Sequence, residues 1–282
     1  MKKIEPSFGY YYYPDENKVE ASSKISEYGL FSTFTLLLAA ITIIHRDYKK
    51  LPSKFNLKKA MMMFKTDKDE DLYKTLFKID ETVEILNITP TGADSHHEVY
   101  SEERITGLYP YIKRYFSLSD EVEDIKEKLK KKYDIVDKDY ISIIYRGTDH
   151  FTDRGGMMSV NCAAYKQIVK QLITPIPIED RNVLIQSEEP RVRDFFNDYG
   201  AKFINETCIG KVGDLDKPIP KENKDLWIKN YIAAIYIHSQ SKNLLTYTGN
   251  SGFFATAFRG TTKGVYQETT FKMDKELFFK IN

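Results

Sequence analysis

The sequence predicts an α/β fold whose second half is a doubly wound parallel sheet. Three observations carry that expectation. Between residues 140 and 267, short β-branched runs alternate with longer segments of helical periodicity, the pattern of successive βαβ units. Three of the runs end in a polar cluster, at 146–149, 187–189 and 248–252. The chain also carries no internal repeat or low-complexity tract.

Taken in order, residues 8–13 form an aromatic run stopped by Pro14-Asp15, the signature of a first strand. Gly29 opens a strongly apolar helix that ends near Tyr48. Residues 60–64 are a short apolar run followed by an acidic stretch, and 83–88 read as another β-branched strand. Residues 119–133 read as a solvated helix: Ser119 is the N-cap, acids crowd the first turns and lysines the last. That helix divides the chain into an N-terminal α/β lobe, 1–120, and a C-terminal lobe, 135–282.

In the second lobe a strand at 140–145 runs into Arg146-Gly147-Thr148-Asp149, and a helix follows at 161–172. A strand at 182–186 runs into Ser187-Glu188-Glu189-Pro190, then a helix at 191–199 and a short strand at 201–204. An amphipathic helix is expected at 225–240 and a strand at 243–247. The turn Thr248-Gly249-Asn250-Ser251-Gly252 leads into a helix ending at Arg259-Gly260, with a last strand at 265–267.

Composition narrows the function. With 42 Lys and Arg against 41 Asp and Glu the net charge is +1, without the basic excess of a nucleic-acid binder. Two cysteines, Cys162 and Cys208, allow no disulfide framework or zinc cluster to be read. The first six residues lack the apolar core of a signal peptide, and 30–44, with Ser32, Thr33, Thr35 and Thr42, is short and polar for a membrane span. A cytoplasmic protein is expected, in a bacterial or virus-infected host cytosol.

Ligands of open parallel sheets bind beyond the carboxyl ends of the strands, where the three polar clusters fall. Arg146 offers a charged donor fork matched to phosphate. The amides around Gly249, Asn250, Ser251 and Gly252 start a helix, which favours an anion. Glu188 or Glu189 can accept from a base edge or a ribose. Together they would grip a nucleoside diphosphate.

The run Tyr109-Pro110-Tyr111-Ile112-Lys113-Arg114-Tyr115-Phe116, the helix after Ser119 and the segment 141–149 resemble the approach to the first motif of the fucosyltransferase-like superfamily. This group includes α1,6-, nodulation and protein O-fucosyltransferases. Its first motif, His-x-Arg-Arg-Thr-Asp, corresponds to Ile144, Tyr145, Arg146, Gly147, Thr148 and Asp149. Its second, an apolar strand ending in Thr-Asp-Asp, corresponds to 183–189, and its third, a strand entering a Ser-rich helix start, to 245–251. The resemblance spans about residues 105–265. It implies a GT-B fold, two Rossmann-like lobes facing a cleft, and a metal-independent, inverting transfer from GDP-fucose. By the same resemblance Arg146 holds the β-phosphate and Ser251 the diphosphate. Thr148, Gly249, Asn250 and Gly252 line the donor site, and Glu188 or Glu189 faces the nucleoside.

The chain departs from the motif at Ile144, where the family has His, and at Gly147, where it has a second Arg. Lys211, His150 or Arg154 are the candidates to replace that charge, and Glu for Asp at the nucleoside keeps a UDP-sugar such as UDP-xylose open. Inversion needs a base for the acceptor hydroxyl. Asp153 ranks first, beside a position that carries a catalytic carboxylate in some members and Arg154 here. Asp149 ranks next. On the acceptor side stand Gly29, whose lack of a side chain permits close approach, and His96 and His97. The expected partners are a nucleotide-sugar and a glycan or glycoconjugate, with no nucleic acid, membrane span, metal or cofactor.

Two other classes compete. A metal-dependent GT-A transferase would use Asp-x-Asp, matched at 67–69, 69–71, 137–139 and 214–216. A non-catalytic nucleotide-sugar or carbohydrate binder would explain Ile144 and Gly147. With no Gly-x-Gly-x-x-Gly or Walker loop, dehydrogenase and P-loop classes fit poorly.

Overall fold

A computed structural model describes residues 3–86, 99–135, 139–145, 162–176, 182–187, 196–207, 224–268 and 278–281. The chain builds strands β1 (Ile4–Ser7), β2 (Tyr10–Tyr13) and β3 (Lys18–Ala21), then helix α1 (Leu30–Tyr48) and strand β4 (Lys54–Asn56). Helix α2 (Leu72–Leu76), strand β5 (Phe77–Lys78), helix α3 (Glu102–Tyr115), strand β6 (Ser117–Leu118) and helix α4 (Asp120–Lys132) follow. The second half adds β7 (Ile141–Tyr145), α5 (Cys162–Ile173), β8 (Val183–Ser187), β9 (Lys202–Phe203), α6 (Lys224–Ser239), β10 (Asn243–Tyr247), α7 (Asn250–Arg259), β11 (Val265–Glu268) and β12 (Phe278–Ile281). This is a mixed α/β protein with a parallel sheet.

That sheet has the order β12-β11-β10-β7-β8-β9. All its neighbours pair parallel except β12, which runs antiparallel to β11. Numbered by their place in the second half, the strands read 3-2-1-4-5-6 from β9. This is the doubly wound order, and its switch point lies between the first and fourth strands, β7 and β10. β7 and β8 are buried at every position, as expected for strands covered on both faces.

The first half departs from the expected second Rossmann-like lobe. Its sheet, β1-β2-β3-β4, is an antiparallel meander with only β4 added in parallel. The aromatic run is a turn followed by a strand: Gly9, at φ +76, turns the chain between β1 and β2. Tyr10 and Tyr12 point inward on β2 while Tyr11 and Tyr13 are half-buried. Residues 83–86 form no strand, and Leu86 is 84% exposed. Arg114 instead donates to the carbonyls of Glu81 and Val83. Residues 87–88 lie outside the described residues.

Nor is α4 solvated on every side. Ser119 does cap it, accepting from the Val122 N–H. Yet Val122, Ile125 and Leu129 are buried, and Glu121 pairs at 2.8 Å with Lys229 of α6. With α4 over its outer side α6 is buried almost throughout, from Trp227 to Ser239, and lacks the solvated face that an amphipathic helix presents. α1 is apolar and long enough to cross a membrane by length and composition, but 67% of its most apolar window is buried inside the protein. Its Phe31 and Phe34 pack on Phe254 of α7, with ring centroids 5.4 and 6.1 Å apart. Both halves therefore share one hydrophobic core.

Candidate functional site

The three strand ends that precede the polar clusters lie side by side. Tyr145 of β7 pairs with Ser187 of β8. On the other side Leu245 of β10 pairs with Ile143, which brings Tyr247 level with Tyr145. β10 is followed by α7, whose first-turn amides have no intrahelical acceptor, as at any helix start. Of the residues expected at this edge, Arg146, Thr148, Asp149, Asp153, Glu188 and Glu189 lie outside the described residues, as do His96, His97, His150, Arg154 and Lys211.

The residues of the third cluster are described, and they are knitted into the protein. The Ser251 hydroxyl is buried against the Tyr247 hydroxyl. A diphosphate reaching it would have to displace that bond. Asn250 points to the N-terminal half: its Nδ2 donates to Ser32 Oγ at 2.8 Å, and its Oδ1 accepts from Thr35 Oγ1 at 2.8 Å. The start of α7 is thus fastened to the start of α1. Gly252 is required by packing, because a Cβ there would stand 2.4 Å from the Tyr247 carbonyl oxygen and 2.5 Å from Thr246 Oγ1. Close helix–strand contact is a recognised role for glycine after a Rossmann-like strand. At Gly249, in extended backbone at φ 166, a Cβ would meet the Tyr247 ring at 2.7 Å.

Gly29 has no such constraint. It is the exposed N-cap of α1 at φ −59, and the nearest atom to a Cβ would be Ser32 Oγ at 3.8 Å. Tyr100 is a residue that sequence reasoning missed. Its fully buried hydroxyl donates to the Gly249 carbonyl at 3.0 Å, and its N–H donates to Gln267 Oε1 at 2.9 Å. Burial raises its phenol pKa far above the usual tyrosine value. It is a fixed neutral post against the α7 turn. A second residue missed is Glu268, buried at the end of β11 opposite Tyr247. Its carbonyl accepts from both the Thr248 N–H and hydroxyl at 2.8 Å.

The acidic stretch offered for a metal serves backbone caps. The Asp71 carboxylate accepts from the Leu57 N–H at 3.0 Å, and Asp67 accepts from the Asp69 N–H at 2.9 Å. Asp139 pairs with Lys242. Asp137, Asp214 and Asp216 lie outside the described residues. Among the described residues no group of three His, Cys, Asp or Glu side chains is placed to hold a metal ion.

Compared with known proteins, the chain matches no family model and no curated relative. Its functional reading therefore rests on residues and geometry.

Proposed function

We propose that the chain is an inverting, metal-independent glycosyltransferase that moves a sugar from a nucleotide-sugar, GDP-fucose-like or UDP-linked, to a hydroxyl of a glycan or glycoconjugate. In this reading the donor lies on the parallel sheet and the acceptor on the N-terminal side. One observation supports it above the rest: the strand ends Tyr145, Ser187 and Tyr247 are neighbours at the switch point of a 3-2-1-4-5-6 sheet, where nucleotides bind in this architecture. Each continues in the sequence into one of the three polar clusters.

In this reading Arg146 and the first-turn amides of α7 neutralise the diphosphate from two sides, with Thr148 beside them. Glu188 or Glu189 meets the nucleoside. The acceptor oxygen attacks the anomeric carbon as its bond to the β-phosphate oxygen breaks, and the hydroxyl proton passes to Asp153, or failing that Asp149. The electrons of the broken bond leave on the nucleoside diphosphate.

Thermal-shift measurements with GDP, UDP, CDP, ADP and their sugars test the reading. A ligand at a hundred times its dissociation constant adds about 2.7 kcal/mol of stability, and Arg146→Ala should weaken its binding at least tenfold, about 1.4 kcal/mol. Turnover should persist in EDTA. No shift with any nucleotide, or equal affinity of the variant, removes the proposal. The engagement of Ser251 with Tyr247 favours one second reading, a non-catalytic nucleotide-sugar binder. Slow hydrolysis of the donor that is lost in Arg146→Ala excludes it.

A further inference from the structure

Strand β8 reads Val-Leu-Ile-Gln-Ser and is buried at all five positions. Its Gln186 is 3% exposed, and neither its Oε1 nor its Nε2 has a hydrogen-bond partner among the described residues. An amide stripped of water with nothing in return destabilises a fold. A leucine would serve a purely structural strand better.

Two more polar groups share this condition at the same end of the sheet. Gln186 pairs in register with Ile144, and continuing the β7–β10 register one step sets Thr246 level with Ile144. Thr246, Ile144 and Gln186 therefore form a row on one face, about 4.8 Å apart from strand to strand. Thr246 is fully buried and its Oγ1 has no partner among the described residues. The third group is the buried indole N–H of Trp227, also unpartnered among them.

The run of α6 brings Trp227 to this end. His238, in its last turn, meets Ser142 at 2.8 Å near the start of β7, so the helix runs antiparallel to the strand. Going back from His238 to Trp227 covers about 16 Å of helix, against about 10 Å of strand from Ser142 to Tyr145. Trp227 thus stands just beyond the strand end, stacked on Tyr231 at 5.1 Å.

We propose that Gln186 receives the edge of a nucleobase at the switch point. This rests on the nucleotide-sugar reading above. A carboxamide presents a donor and an acceptor side by side. That pair matches the lactam edge of uracil or guanine and the amino–ring-nitrogen edge of adenine or cytosine. Trp227 offers a further hydrogen bond to the same nucleoside, while Thr246 is closed off by Gly252 of α7. Gln186 supplies affinity for a base, and the choice among bases lies with other groups.

Calorimetry with UDP, GDP, CDP, ADP and pyrophosphate on the wild type and Gln186→Leu tests this. The variant should lose at least tenfold in affinity for whichever nucleoside diphosphate binds the wild type. Pyrophosphate binding should be unchanged and the ligand-free melting temperature equal or higher. Equal losses for pyrophosphate and nucleotide overturn the base assignment. So does a lowered melting temperature with unchanged nucleotide affinity, which would assign the amide to a buried water. A wild type that binds pyrophosphate as tightly as every nucleotide overturns the base assignment alone. A wild type that binds none of them overturns the nucleotide-sugar reading as well. If Gln186→Leu does not fold, Gln186→Met, which also removes the amide, takes its place.

Discussion

His238 should make this protein acid-labile in a window set by one buried ring. The imidazole is fully buried in the last turn of α6. Its Nδ1 lies 2.8 Å from Ser142 Oγ on strand β7, and its Nε2 has no partner among the described residues. Burial alone pushes its pKa down from 6.5 to about 3.

Because the folded pKa is depressed, the unfolded chain binds the proton first as pH falls. Stability is then complete above pH 6.5 and declines below it by about 1.4 kcal/mol per pH unit. By pH 4.5 the loss from this one residue is roughly 2.7 kcal/mol. Carboxylates titrate in the same range, so the measurement is a difference: urea unfolding between pH 7.5 and 4.5 for the wild type and for the Ser142→Ala/His238→Phe double variant, which removes ring and hydroxyl together. The wild type should lose about 2–3 kcal/mol more than the variant across the window. Parallel curves would mean that the ring finds a partner for its proton in the folded state.

Other outcomes follow from the turn at α7. Asn250→Ala should destabilise by about 1–3 kcal/mol, since two hydrogen bonds tie α7 to α1. A double-mutant cycle with Ser32→Ala should show coupling, and additive effects would sink the clamp. Gly252→Ala should destabilise by about 1–3 kcal/mol through overlap with the Tyr247 carbonyl, visible as a lower melting temperature. Gly29→Ser, in open space at a cap with no side-chain hydrogen bond, should hold or gain a few tenths of a kcal/mol. A loss of acceptor use in that variant at unchanged stability would mark Gly29 as an acceptor-side residue.

What was legible in the sequence was whatever is decided locally. The apolar run after Gly29, the Ser119 cap and the Gly260 stop at φ +76 each follow from neighbours in the chain. Three parallel strands announced themselves because strands buried on both faces are continuously apolar. The misread segments turn on partners far away in sequence. Residues 83–86 have β-branched character but no strand beside them, and β-propensity is largely cross-strand packing. α6 carries polar residues that look solvated, yet Lys229 is covered by Glu121 from α4 and Asp225 from its own turn. At the site, Gly252 reads in the sequence as part of an anion-binding helix start, whereas the structure needs it for packing against the Tyr247 carbonyl and Thr246. Gln186 passes in the sequence for an ordinary strand residue, because its burial and its lack of a partner among the described residues depend on the strands and helices packed around it.

The shared core also constrains how such a site can work. Phe254 of α7 packs against Phe31 and Phe34 of α1 and against Phe116 after α3, with centroids 5.4, 6.1 and 5.3 Å apart. A hinge that swung the first half away from the parallel sheet would pull these rings apart and break the Asn250 bridge. Exposing one buried aromatic side chain forfeits about 1.5–3 kcal/mol, so opening several is comparable to a domain's whole stability, about 5–15 kcal/mol. The start of α1 and the start of α7 must therefore be assembled before any ligand arrives. Motion that admits or releases a ligand has to come from segments other than the α1–α7 joint. If hydrogen exchange found the amides of α1 and the first turn of α7 exchanging together, and much faster than those of β7 and β10, the joint would be a hinge after all.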